Sequence, residues 1–129
     1  MTNDDSVKRF YLGLAHLFIG GLIYALLRNT DEIFFFSYLD FNYGQLIPSE
    51  GIPNFILFQV PDMLWAWSFI LFTKAIKDSL ILDSILFLWF VGLEISQLFF
   101  DWGTFDFLDL IAVCIPFAII HRKRFISFF

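Results

Sequence analysis

Four carboxylates stand close together in an apolar stretch near the end of the chain. Glu94, Asp101, Asp106 and Asp109 fall within the segment LEISQLFFDWGTFDFLDLIA, residues 93–112. Carboxylate oxygens are suitable ligands for hard cations. An acid inside a membrane helix costs at least about 2.5 kcal/mol unless it is protonated, paired or hydrated, and such residues usually mark function. The residue types therefore predict a site that binds a cation or the polar group of a lipid or envelope intermediate.

The spacing of these residues predicts that they meet at one level. Glu94, Gln97 and Asp101 stand at i, i+3 and i+7, which is one face of a helix. Asp106 and Asp109 are one turn apart on the next helix. The candidate ligand-binding residues are Asp62, Glu94, Gln97, Asp101, Asp106 and Asp109. No cofactor and no particular metal follows from this set.

Most of these acids also have a structural interpretation. Asp106 fits a helix N-cap with Asp109 at the third helical position. Asp62 fits the positive end of a helix dipole, and Asp101 fits a solvated turn. Glu94 is harder to explain, because no Lys or Arg is predicted at its depth. Its structural interpretation is a protonated carboxyl hydrogen-bonded to Gln97 or to a backbone carbonyl.

The elements that position these residues follow from composition. Of 129 residues, 59% are hydrophobic, 16% are charged and 20 are Phe. A soluble domain is roughly half apolar and about a quarter charged, so we expect an all-α membrane protein. Four apolar segments approach the length of a membrane-spanning helix, about 20 residues. These transmembrane segments are 10–27, 61–77, 80–100 and 105–120, and an outward loop covers 28–60.

The basic residues predict the orientation of the four segments. Seven of the eight Lys and Arg residues fall at the N-terminus, in the second loop or at the C-terminus, while Arg28 falls in the first loop. The positive-inside rule then places both termini in the cytoplasm. Asp83 would face the cytoplasmic end of the third helix, where a helix dipole accounts for it. His121 belongs to a basic tail, far from the acids, that would meet anionic lipid headgroups.

The 93–112 segment resembles the C-terminal signature of the VanZ-like family of small bacterial membrane proteins. That signature has E-x-x-Q at the end of one helix, a turn with Gly, and D-x-x-D opening the next helix. Glu94, Gln97, Gly103, Asp106 and Asp109 match it, and VPDMLWAW at 60–67 resembles the family's second-helix entry. The chain departs from the family pattern at Met63, Trp65, Thr104 and Ala112. The resemblance implies a protein of the bacterial cytoplasmic membrane and supplies no biochemical activity.

Three functions from different classes remain open. The first is a binding module that uses the acids. The second is an accessory subunit of a larger membrane complex, or a homo-oligomer, with small residues for close helix contact at Gly13, Gly20, Gly21, Ala25, Gly92 and Ser96. The third is an enzyme acting on a lipid-linked substrate with Glu94 or an Asp as general base. The third is the least favoured, because the chain has no HExxH motif and no Gly-rich phosphate loop. The lipid bilayer is an expected partner and nucleic acid is not.

Overall fold

The described part of the chain is entirely helical. The computed structural model describes residues 3–28, 46–100 and 105–126. In chain order the helices are α1 (Asn3–Leu27), α2 (Asn54–Leu57), α3 (Gln59–Ile76), α4 (Leu80–Ser96) and α5 (Phe107–Ile126). No strand occurs in these ranges. The all-α prediction is therefore confirmed for the described residues.

The helix ends differ from the predicted segments where polar residues continue or stop a helix. Helix α1 begins seven residues before the predicted apolar segment, with Asp4 and Asp5 in its first turn, where acids favour the helix dipole. Helix α4 ends at Ser96 rather than at residue 100, because Gln97 and Leu98 donate to carbonyls three residues back and tighten the chain into a turn. Helix α5 continues beyond residue 120 through the basic segment. Of the predicted outer loop, 29–45 lie outside the described residues.

Helix α3 is the element on which the others pack. Helices α1, α4 and α5 all contact α3, and α4 also contacts α5. Helices that follow one another in the chain run antiparallel: the end of α1 meets the start of α3 at Tyr24 and Asp62, and the end of α3 meets the start of α4 at Thr73 and Asp83. Helices α3 and α5 run in the same direction, since Gln59 and Asp109 both stand at helix starts. The buried core lies between α3, α4 and α5, and its members are Ala66, Ile70, Phe90, Val113 and Phe117.

Two glycines allow α1 to approach α3 closely. A Cβ atom at Gly13 would lie 2.7 Å from the ring of Phe72 and 3.2 Å from the carbonyl oxygen of Ser68. At Gly20 it would lie 2.6 Å from the indole ring of Trp65. Real Cβ atoms do not approach other side chains so closely, so these two positions require the absence of a side chain. The contacts pair the end of α1 with the start of α3.

Among the described residues, two helical spans are long and apolar enough to cross a membrane: Asp4–Leu27 in α1, and Asn54–Ile76, which covers α2 and α3. Helix α4 has 17 residues, or about 25 Å at 1.5 Å per residue, which is slightly less than a hydrocarbon core of about 30 Å. Large apolar side chains are exposed along α1 and α4, among them Phe18, Ile81, Leu88 and Trp89. These observations are consistent with association with a membrane.

A buried ion-pair network joins three helices at the end of the bundle opposite to Glu94. Asp83 is 1% exposed; its carboxylate lies 3.0 Å from Lys74 Nζ and 3.1 Å from His121 Nε2, and it accepts a hydrogen bond from Thr73 Oγ1 at 3.1 Å. The helix dipole alone was therefore an incomplete explanation of Asp83, although this residue does lie in the first turn of α4. His121 lies at the end of the bundle opposite to Glu94, as expected, and its contact with Asp83 was not predicted.

We expect Gly20→Ala to destabilise the protein by about 1–3 kcal/mol, because the new methyl group forces the Trp65 ring away from α1. The adjacent Gly21→Ala is the matched control. A Cβ atom at Gly21 meets nothing within 4 Å, so the higher helix propensity of Ala leaves stability unchanged or raises it by up to about 1 kcal/mol. The measurement is unfolding of both purified variants in mild detergent. Equal stabilities would contradict the close contact at Gly20.

We expect Asp83→Ala to lower the free energy of unfolding by about 1–3 kcal/mol, because it removes the buried carboxylate that Lys74 and Thr73 contact and leaves Lys74 with only its ion pair to Asp78. The control is Asp4→Ala, which removes an ion pair with Lys8 whose two side chains are both mostly exposed. Exposed pairs contribute less than about 1 kcal/mol. The same detergent unfolding assay applies, and similar losses in the two variants would show that burial of the Asp83 network is unimportant.

Candidate functional site

Polar side chains from four helices meet at one end of the bundle. The antiparallel packing brings together the last turn of α1, the first turns of α3 and α5, and the last turn of α4. We call this group the polar cluster, and its members are Tyr24, Arg28, Gln59, Asp62, Glu94, Gln97, Asp106 and Asp109. Five of the six residues expected from the sequence are in it. Asp101 lies outside the described residues.

Asp62 connects α3 to α1. It lies in the first turn of α3, where the dipole favours an acid, as predicted. The hydroxyl of Tyr24 donates a hydrogen bond of 2.9 Å to Asp62 Oδ1. The Tyr24 ring stacks on Trp65, with the ring centroids 5.1 Å apart. The sequence analysis did not identify Tyr24 as a partner of this acid.

Gln59 connects α3 to α5. Its side-chain amide donates to Asp109 Oδ1 at 2.9 Å and to Asp106 Oδ2 at 3.4 Å. Gln59 is 4% exposed, so this bridge is largely shielded from solvent. Asp106 also accepts the backbone N–H of Leu108 at 2.9 Å, which confirms its expected role as N-cap of α5. One amide therefore positions two of the candidate acids.

Glu94 stands at the end of α4 with Gln97 beside it. Gln97 Nε2 donates a hydrogen bond of 3.2 Å to Glu94 Oε2. Gln97 is one of the two partners that the sequence predicted for this acid. Glu94 is partly buried and lies within electrostatic range of Asp62, Asp106 and Asp109. The acids of α3, α4 and α5 therefore lie near one another at this end of the bundle.

Arg28 is the cation that the sequence analysis missed. Its guanidinium carbon lies 4.6 Å from the centroid of the Tyr24 ring and 4.8 Å from that of Phe58. It also acts electrostatically on Asp62 and Asp109. A signal was present in the sequence, since Arg28 is the one basic residue assigned to the same side as the acids. Its position after the first apolar segment made it look like a loop residue.

Acids outnumber bases in the polar cluster. Among the described residues it contains four carboxylates and one guanidinium. No group of three or more His, Cys, Asp or Glu residues in the described ranges is arranged to hold a metal ion.

His16 and the glycines of the long helices have local roles. His16 Nδ1 is 2.7 Å from the carbonyl oxygen of Leu12, and its ring stacks on Trp67. Gly13 and Gly20 are used inside the protein, so they are not available for contact with a partner. Gly21 and Gly92 face open space. The small residues expected to form a contact surface for a larger complex are therefore reduced to separate positions on α1 and α4.

Comparison with protein-family models, with curated proteins and with solved structures finds no match for this chain. The similarity to the VanZ-like family therefore remains a prediction, carried by the motif residues themselves.

Proposed function

We propose that this chain is a four-helix membrane protein that uses the polar cluster to bind the headgroup of a membrane-embedded molecule. The observation that carries the proposal is the convergence of the polar cluster at helix ends. Helices whose outer faces are apolar have no structural need for so many acids from different elements. The side chains of Glu94, Gln97, Asp106 and Asp109 are partly exposed, so a ligand has access to them.

The membrane topology in this proposal has α1, α3, α4 and α5 crossing the bilayer, with both termini in the cytoplasm. The antiparallel order of the helices supports it. The end that carries Lys74, Lys77 and Arg122 would be cytoplasmic by the positive-inside rule. The polar cluster would then lie at the outer leaflet. The exposed apolar residues of α1 and α4 support lipid contact, since soluble monomers rarely expose large contiguous apolar surfaces.

The excess of carboxylates indicates the chemistry of the ligand. A ligand that donates hydrogen bonds, through an ammonium group or hydroxyl groups, would be attracted to Glu94 and its neighbours. A bare anion would be repelled. The VanZ-like resemblance agrees with a small protein of the bacterial cytoplasmic membrane, and we retain it as part of the proposal.

A second candidate is an accessory subunit of a larger membrane complex. The observation in its favour is a shallow apolar groove of about 630 Å³ on the outer face of α1, lined by Leu14, Ala15, Leu17, Phe18, Gly21 and Leu22. A partner that co-purifies stoichiometrically with the wild-type protein and with Glu94→Gln alike would favour this candidate.

We expect cysteine labelling of intact cells to separate the two ends of the bundle. In a Cys114→Ala background, a membrane-impermeant maleimide should label Glu50→Cys and not Lys77→Cys, because the first precedes α3 and the second follows it. Both positions are exposed in the folded protein. Permeabilised cells, in which both variants should react, are the control. Labelling of Lys77→Cys alone in intact cells would show that the orientation is opposite to the proposed one.

We expect Glu94→Gln to weaken binding of a membrane amine by about tenfold or more, the contribution of one charge-assisted hydrogen bond. The probe is dodecylamine, added to the purified protein in neutral detergent and measured by calorimetry. Dodecanol corrects for partition of the alkyl chain into the micelle. Asp4→Asn, which removes an acid at the opposite end of the bundle, is the control and should bind like the wild type. Equal affinities for Glu94→Gln and wild type would contradict the proposal that the carboxylates of the polar cluster bind the ligand.

A further inference from the structure

The polar cluster is divided into an acidic side and a cationic side. Asp62 and Asp109 interact electrostatically with Arg28 and also with Glu94. Asp62 and Asp109 are therefore near both the guanidinium and the Glu94 carboxylate. Asp62 is engaged by Tyr24 and Asp109 by Gln59. Arg28 and Glu94 are both partly exposed, so a ligand has access to each of them.

Arg28 is held in a way that favours an oxyanion. The rings of Tyr24 and Phe58 contact the guanidinium and restrict its motion. Stacking of this kind leaves the N–H donors at the edge of the guanidinium plane, and that edge matches the oxygens of a phosphate or carboxylate. Arg28 Nε is buried and has no hydrogen-bond partner among the described residues. A buried donor without a partner is costly, and an oxyanion would satisfy it.

We propose that the polar cluster binds a zwitterion, with its oxyanion on Arg28 and its ammonium group on Glu94. The ligand class is an amine joined to a phosphate by a short linker, such as a phosphoethanolamine group. This inference rests on the proposed function, because it assigns the amine to the same carboxylates. It adds that the ligand also carries a negative charge, which the acids alone would repel.

At the opposite end of the bundle, the buried carboxylate already has partners within the protein. Asp83 is already surrounded by Lys74, Thr73 and His121, and it is 1% exposed. The Asp83 carboxylate is therefore already paired within the protein, although Arg9 Nη1 at the same end is a buried donor without a partner among the described residues. The contrast between this network and the half-exposed polar cluster favours the cluster as the binding end.

The test compares three single-chain amphiphiles that share one tail, which are dodecylamine, dodecyl phosphate and dodecylphosphoethanolamine. The wild-type protein should bind dodecylphosphoethanolamine about tenfold more tightly than dodecylamine and should bind dodecyl phosphate least. Arg28→Gln should remove the advantage of the zwitterion and leave dodecylamine binding in place. Glu94→Gln should weaken the binding of both amine-bearing probes. Arg122→Gln, which removes an exposed arginine at the other end, should behave as wild type.

Two further arms keep the result interpretable. Arg28→Lys retains the charge and loses the planar fork, so it should bind the zwitterion with intermediate affinity even if Arg28→Gln fails to fold. Tail-free O-phosphoethanolamine identifies the source, because binding that requires the tail indicates a lipid headgroup and binding without it indicates a free zwitterion.

The outcomes separate this inference from the proposed function. If dodecylamine binds in a Glu94-dependent manner and the zwitterion gains nothing over it, the inference is overturned and the proposed function stands. If neither amine-bearing probe depends on Glu94, both fail. Unchanged zwitterion preference in Arg28→Gln and Arg28→Lys would also overturn the role given to Arg28.

Discussion

The close contact between α1 and α3 at Gly20 supports the arrangement of the polar cluster. Because Gly20 has no side chain, the indole of Trp65 lies against the backbone of α1. Tyr24 stands one turn further along α1 and stacks on that indole, and its hydroxyl reaches Asp62. Arg28 follows one turn later and stacks on Tyr24. A contact between a glycine and a tryptophan thus positions a cation about two helical turns away.

In the described part of the chain, the charged side chains lie near helix ends or in the connections between helices, and the two ends of the bundle hold them differently. At one end, Asp83 is paired with Lys74 within the bundle and lies 3.1 Å from His121 Nε2. Such a buried pair loses much of its Coulombic attraction to the cost of desolvation, so its main effect is to define how α3, α4 and α5 fit together. At the other end, charges of both signs stay partly exposed. The first arrangement suits a structural role and the second suits recognition.

Much of the architecture could be predicted from apolar segment lengths and from the spacing of acids along helices. The pairing of Glu94 with Gln97 and the capping by Asp106 are local, within three residues, so helical periodicity reveals them. The contacts of Tyr24 with Asp62 and of Gln59 with Asp109 join residues 38 and 50 positions apart. They depend on which helices are neighbours, and periodicity in one sequence does not contain that information. For the same reason, the sequence did not indicate that Arg28 lies near Asp62 and Asp109 or that His121 contacts Asp83.

The packing of α1 connects the stability of the folded protein to the occupancy of the polar cluster by a ligand. Helix α1 is attached to the bundle mainly through α3, whereas α4 and α5 contact each other as well as α3. Arg28 extends from the end of α1 and Glu94 from the end of α4. A molecule that bridges these two side chains joins the peripheral helix to an element it does not otherwise pack against closely. By mass action such a molecule stabilises the folded state in proportion to its concentration, so membrane composition becomes one of the determinants of how firmly α1 is held.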